Sequence, residues 1–158
     1  MNLLHAAQTT PSLTSRGLLQ VNVVSVQNNF PVTDATISIS SKNNPETIIE
    51  QVSVNSSGQT EQISLPAPPL DYSFDPNAPT PYSEYVVSVE APGFRPLTVS
   101  GTEILPDSTA IQPIRMTPES QPGEQSLITI PEHTLVGDYP PKIAESEIKP
   151  VRESGEIV

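Results

Sequence analysis

Three observations predict an all-β fold, an antiparallel seven-stranded β-sandwich followed by a Pro-rich extended C-terminal tail. Short runs of alternating apolar and polar residues recur along the first two thirds of the chain, and turn signals separate them at intervals of about 8–12 residues. The chain carries 19 prolines in 158 residues, more than twice the usual share of about 5%, so long helices are excluded. The clearest period lies in Pro81 to Phe94, where Tyr85, Val87 and Val89 fall on one face and Ser88 and Glu90 on the other before Pro92-Gly93 ends the run. This is the expected central strand.

The other elements follow in order. Residues 1–16 lack periodicity and form a loose lead. Gly17 to Val26 alternates Leu19, Val21 and Val23 with Gln20 and Asn22, and Asn28-Asn29-Phe30-Pro31 turns the chain. Ala35 to Ser40 is binary, with Ala35, Ile37 and Ile39 facing inward. In Thr47 to Val54 the parity of Ile49 and Val54 disagrees, which predicts a bulge or a two-sided edge. Asn55-Ser56-Ser57-Gly58 is a tight turn, and it also matches the N-glycosylation sequon. Gln59 to Leu65 forms the next strand, and the proline-rich stretch Pro66 to Pro81 a long crossover loop. Beyond the central strand, Leu97 to Val99 and Thr102 to Leu105 are two short pieces separated by a turn at Gly101. Ala110 to Met116 closes the domain as an edge strand, because it contains Pro113. The sandwich therefore spans residues 17–116, and residues 117–158 form a Pro-rich extended arm and polar tail without a core of their own.

Within that tail, Leu127, Ile128, Ile130, Leu135, Val136, Tyr139 and Ile143 are too many apolar side chains for a solvated linker, while Pro131, Pro140 and Pro141 exclude a long helix. The expectation is an arm that packs on a surface, either as an added edge strand or in a polyproline-like form.

Charge narrows the function classes. Eighteen acidic residues oppose seven basic ones, a net charge of −11. No Lys/Arg cluster is present to neutralise phosphates, so no nucleic acid and no anionic membrane surface is expected as a partner. The chain has no cysteine and only two histidines, His5 and His133, which excludes a thiolate site and leaves no Ser/His/Asp arrangement within the sandwich. No phosphate loop or nucleophile signature occurs, so no enzyme activity, cofactor or metal is expected. MNLLHAAQTTPSLTSR lacks the basic and apolar regions of a secretory signal, and the expectation is cytoplasmic synthesis.

Two groups of residues carry the interaction candidates. Tyr72, Phe74, Tyr82, Tyr85 and Phe94 place five of the seven aromatics around the crossover and the central strand. They form either a sugar-stacking platform or a plug for the open end of the sandwich. Asp71 and Asp75 flank Tyr72-Ser73-Phe74 as oxygen ligands for calcium or as turn caps. The expected interaction surface is Tyr72, Phe74, Tyr82, Leu127, Ile130, Leu135 and Tyr139.

Gly17 to Met116, with Pro31-Val32-Thr33-Asp34-Ala35 and the Val54-Asn55-Ser56-Ser57-Gly58 hairpin, resembles the carboxypeptidase-regulatory-like, transthyretin-type sandwich. The resemblance implies Greek-key topology. LPAPPLDYSFDPNAPTPYSEYVVSVEAPGF and Pro131-Glu132-His133-Thr134-Leu135-Val136-Gly137-Asp138-Tyr139-Pro140-Pro141-Lys142-Ile143 are similar to the N-terminal region of clostridial spore-cortex-lytic and related peptidoglycan-binding proteins. In that family the region precedes a catalytic segment and peptidoglycan-binding repeats, and it serves as a propeptide-like part. The resemblance implies a spore-associated, non-catalytic module that docks to a downstream peptidoglycan-processing domain or another protein. The alternative is a module that binds peptidoglycan directly. A third reading, a surface adhesion or stalk module, draws on the likeness to collagen-binding repeat adhesins. Their internal Lys-to-Asn bond has no counterpart in the first strand here, which contains no lysine.

Overall fold

The structure, a computed structural model, describes residues 13–132. Eight strands are present among the described residues: β1 (Ser15–Ser25), β2 (Thr36–Ser41), β3 (Asn44–Ser53), β4 (Ile63–Ala67), β5 (Ser83–Glu90), β6 (Leu97–Ile104), β7 (Thr109–Met116) and β8 (Ser126–Thr129). One 3-10 turn, Leu70–Phe74, interrupts the crossover between β4 and β5. A three-stranded sheet, in the order β4-β1-β7, faces a five-stranded sheet, in the order β3-β2-β5-β6-β8.

Period-two burial places the core between the sheets. Leu19, Val21 and Val23 of β1, Leu65 of β4, and Ile114 and Met116 of β7 meet Ile37 and Ile39 of β2, Val87 and Val89 of β5, and Val99 and Ile104 of β6, all buried. Tyr85, Val87 and Val89 lie on the inward parity expected of the central strand, and β5 is third of five. Burying each such aliphatic stabilises the fold by roughly 1.5–3 kcal/mol relative to exposure.

The fold corrects the expected antiparallel arrangement, because both sheets are mixed. β1 pairs in parallel with β7, and β6 in parallel with β8; the other pairings are antiparallel. Alternation reports which face a side chain takes and says nothing about the direction of the neighbouring strand. The strand count also rises from seven to eight, since Ser126–Thr129 of the expected arm adds to the outer edge of β6. The sheet system thus begins at Ser15 and takes in the start of the tail.

Gly101 is a second correction. Leu97 to Val99 and Thr102 to Leu105 are not separate pieces: β6 runs unbroken, and its pairing to β5 slips by one residue between Val86↔Ser100 and Tyr85↔Thr102. Gly101 is the extra residue, with φ of +103°. A Cβ there would lie 2.6 Å from the Ile130 carbonyl oxygen, so only glycine lets the end of β8 close over the bulge.

Prolines sit where the ladders leave room for them. Leu18 N donates to Ser108 O and Val26 N to Met116 O, which turns the even-numbered residues of β7 toward β1 and Pro113 toward the free side. The edge position expected from Pro113 is found. Pro66 lies in β4, the opposite edge of the same sheet. β3 combines the bulge and the edge that its parity foretold: its pairing with β2 shifts at Ser40, and it is exposed along almost its whole length. β4 starts later than expected, at Ile63, leaving Glu61 exposed outside the strand.

Candidate functional site

The expected interaction residues separate in the structure. Phe74, at the end of the 3-10 turn, is 77% exposed, and Tyr72 is half-buried beside it. Tyr82 contradicts the expectation of a surface residue: it is only 5% exposed, because it lies against the end of the sandwich in a cleft shared with Pro66, Thr80 and Tyr85. Three aromatics therefore do not form one open stacking face. Tyr85 behaves as a plug, its hydroxyl donating to Pro66 O and linking the central strand to the opposite sheet. Burial pushes the Tyr85 phenol above its ordinary pKa. Lys42, at the β2–β3 hairpin, binds Glu84 at 2.6 Å over the same end.

Asp75 takes the turn-capping role, its Oδ1 accepting from Asn77 N at 2.9 Å. Asn55 does the same at its hairpin, accepting from Ser57 N at 2.8 Å and Gln59 N at 3.1 Å. Among the described residues no group of three or more His, Cys, Asp or Glu is placed to hold a metal ion, and no helix is long and apolar enough to cross a membrane. His5, His133, Leu135 and Tyr139 lie outside the described residues.

The remaining candidates converge on β8. Leu127 is 70% exposed and Ile128 50%, whereas Ile130 is half-buried against the core. Their difference follows from register. Leu127 lies in a row with Ser38, Ser88 and Thr98 on the outer face of the five-stranded sheet, and Ile128 pairs with Val99 on the inner face. That sheet is two strands wider than its partner, so the inner face of β8 overhangs and Ile128 is left without a covering layer. Ser126 N donates to Pro96 O and Ile130 N to Ser100 O. By the alternation of a parallel ladder, Leu127 and Thr129 direct their N–H and C=O groups away from β6. Among the described residues no strand pairs with that outer side.

An acidic cleft of about 580 Å³ crosses the end of the sheet where β8 begins. Asp34, Glu90, Glu119 and Glu124 line it together with Phe94. Glu124 accepts from Ser120 N at 3.2 Å and Ser120 Oγ at 3.0 Å and pairs with Arg95 at 3.2 Å, which together hold its carboxyl below the usual range, the Ser120 N–H contributing most. A larger lateral cleft, about 700 Å³, opens between β3 and β4, where Arg16 is tied to Ser64.

No protein-family model and no curated protein matches the chain. Solved structures of similar shape include the minor pilin GBS52 of Streptococcus agalactiae (16% identity, TM-score 0.46, covering 75% of this chain and 49% of that one). The Bacillus anthracis TIE protein aligns at 16% identity and TM-score 0.45, over 66% of this chain and 17% of its own length. Klebsiella pneumoniae 5-hydroxyisourate hydrolase aligns at 16% identity and TM-score 0.44, over 65% of this chain and 92% of its own. The chain thus spans less than half of the first two. Likenesses of this size assign no function.

The tail's outward-facing backbone on β8 is the feature that sequence reasoning placed least well. Its signal was Leu127-Ile128-Thr129-Ile130, a short run rich in β-branched residues ahead of Pro131. That run announces a strand but not which edge receives it.

Proposed function

We propose that this chain is a non-catalytic interaction module, a transthyretin-like Greek-key sandwich that docks to another protein segment or domain. The observation that supports the reading is the outer side of β8, an edge strand with exposed aliphatic side chains and outward-directed backbone groups. Proteins normally cover or blunt such an edge, and an extended partner segment completes it with main-chain hydrogen bonds. Its sequence resemblance to the pro-region of spore-cortex peptidoglycan proteins supports, as the partner, a peptidoglycan-processing domain of that kind in a spore-associated setting.

A second reading, direct peptidoglycan binding, draws on Phe74, whose ring is exposed with Tyr72 beside it. One pair of binding assays separates the two. The full chain is mixed with purified cortex peptidoglycan and, separately, with a spore-cortex peptidoglycan-processing domain. Docking through β8 predicts capture by the domain that Leu127→Asp abolishes and Phe74→Ala leaves intact. Retention on peptidoglycan that disappears with Tyr72→Ala and Phe74→Ala would replace the docking reading with the glycan one.

A further inference from the structure

The two outer edges of the five-stranded sheet are treated differently by the sequence. β3 carries Pro45, Glu46 and Glu50 and a shifted register against β2, features that discourage another chain from pairing there. β8 has no charge, no proline and no bulge in Ser126–Thr129, and Leu127 and Ile128 stand exposed on its two faces. Among the described residues, one edge is blunted and the other is left ready for pairing.

Charge identifies what the open edge fits. The described residues hold thirteen acidic against four basic side chains, so a second copy of the chain would approach against like charge. Asp34, Glu90 and Glu119 gather in the cleft at the start of β8, and the fourth acid of its lining, Glu124, is paired with Arg95. Phe94 is half-buried in the same cleft and offers a ring to a cationic group. Asp34 lies in the turn just before β2 and Glu90 ends β5, on the side of the sheet where β6 and β8 begin.

We infer that the outer edge of β8 accepts an extended, cationic peptide segment by strand addition, with aliphatic residues of the segment beside Leu127 and Ile128 and its lysines or arginines in the acidic cleft at Asp34 and Glu90. The inference rests on the docking reading and specifies the partner's chemistry. Main-chain bonds to Leu127 and Thr129 supply affinity, the overhanging Ile128 selects apolar side chains, and the cleft sets which end of the segment is basic.

Four capped peptides test it on the full chain: Thr-Val-Thr-Val-Thr carrying two arginines at one end or the other, and the same two with glutamates instead. Binding is followed by fluorescence anisotropy and by amide shifts. One Arg-tipped peptide is expected to bind about tenfold more tightly than its Glu-tipped counterpart and to shift Leu127 and Thr129. Thr129→Pro removes an outward N–H that β6 does not use, so it should abolish binding with the melting temperature unchanged. Asp34→Asn with Glu90→Gln should shrink the Arg-over-Glu preference below about threefold. Equal binding of Arg- and Glu-tipped peptides overturns the inference, as does a dimer of the chain that forms through β8. Peptide shifts confined to β3 also overturn it while leaving the docking reading standing. No peptide binding, with capture of the peptidoglycan-processing domain retained, has the same effect; loss of both defeats the two together.

Discussion

Val87 and Ser88 are neighbours on β5 that point to opposite faces, and truncating each to alanine measures the register directly. Val87 is fully buried in the central strand, paired with Ile39 on one side and Val99 on the other. Val87→Ala removes two methyl groups at about 0.8 kcal/mol each, or roughly 1.6 kcal/mol of transfer free energy. The cavity between two sheets that cannot close fully around it brings the loss to about 2–3 kcal/mol. Ser88 is half-buried on the outer face, its hydroxyl 3.4 Å from that of Thr98. Losing so long a contact costs at most about 0.5 kcal/mol. Equilibrium urea unfolding is the assay, with the slope expected to stay constant while the Val87→Ala midpoint falls. Because domains of this size hold only about 5–15 kcal/mol, Val87→Asp, which adds an unpaired buried carboxylate, should unfold the chain. Equal losses for Val87→Ala and Ser88→Ala would refute the register of the whole five-stranded sheet.

Three further outcomes are expected. Tyr85→Phe leaves the Pro66 carbonyl without its donor and should cost about 1 kcal/mol in urea unfolding. Because burial raises the Tyr85 pKa, its contribution is complete below the ordinary phenol range near pH 10 and is lost as pH rises through the higher folded value; Tyr85→Phe should lessen the alkaline loss of stability. Glu124 has the opposite sign: its lowered pKa gives a contribution present above the usual carboxylate range and lost as pH falls through the folded value, so amide protection at Ser120 should fall in acid and be insensitive to pH there in Glu124→Gln. Gly101→Ala forces a Cβ against the Ile130 carbonyl at a positive φ, and hydrogen exchange should quicken at Ser126, Ile128 and Ile130 while Val87 and Val89 keep their protection.

What was legible in the sequence was whatever side-chain alternation encodes. Leu19-Val21-Val23, Ala35-Ile37-Ile39 and Tyr85-Val87-Val89 name their buried faces because a one-residue slip would expose all three members. Pro113 marked an edge because a missing N–H is tolerated only on a strand's free side. Strand direction was not legible: β1 and β7 look alike whether they run parallel or antiparallel, since the same residues face the core either way. Gly101 was read as a turn because glycine permits both a turn and a bulge, and only the continued pairing of β6 with β5 on either side of it distinguishes them. The candidate site was half legible. Leu127 and Ile130 were named as apolar residues needing a surface, but Tyr82 is buried at the end of the sandwich in a cleft it shares with Pro66 and Thr80, a proximity between residues that no local pattern records. The acidic cleft was invisible for the same reason, as Asp34, Glu90 and Glu119 meet only once β2, β5 and the connection to β8 are placed side by side.

The most direct test of docking at β8 is residue-resolved hydrogen exchange of the full chain, alone and with a spore-cortex peptidoglycan-processing domain at saturating concentration. In the free chain, Ser126 and Ile130, which donate to β6, should exchange slowly, and Leu127 and Thr129, which face outward, should exchange quickly. On adding the domain, Leu127 and Thr129 should slow by at least about tenfold while Ile48 and Glu50 of β3 do not change. Protection that appears instead at Tyr72 and Phe74, or no change at Leu127 and Thr129 with the domain demonstrably bound, would contradict the account.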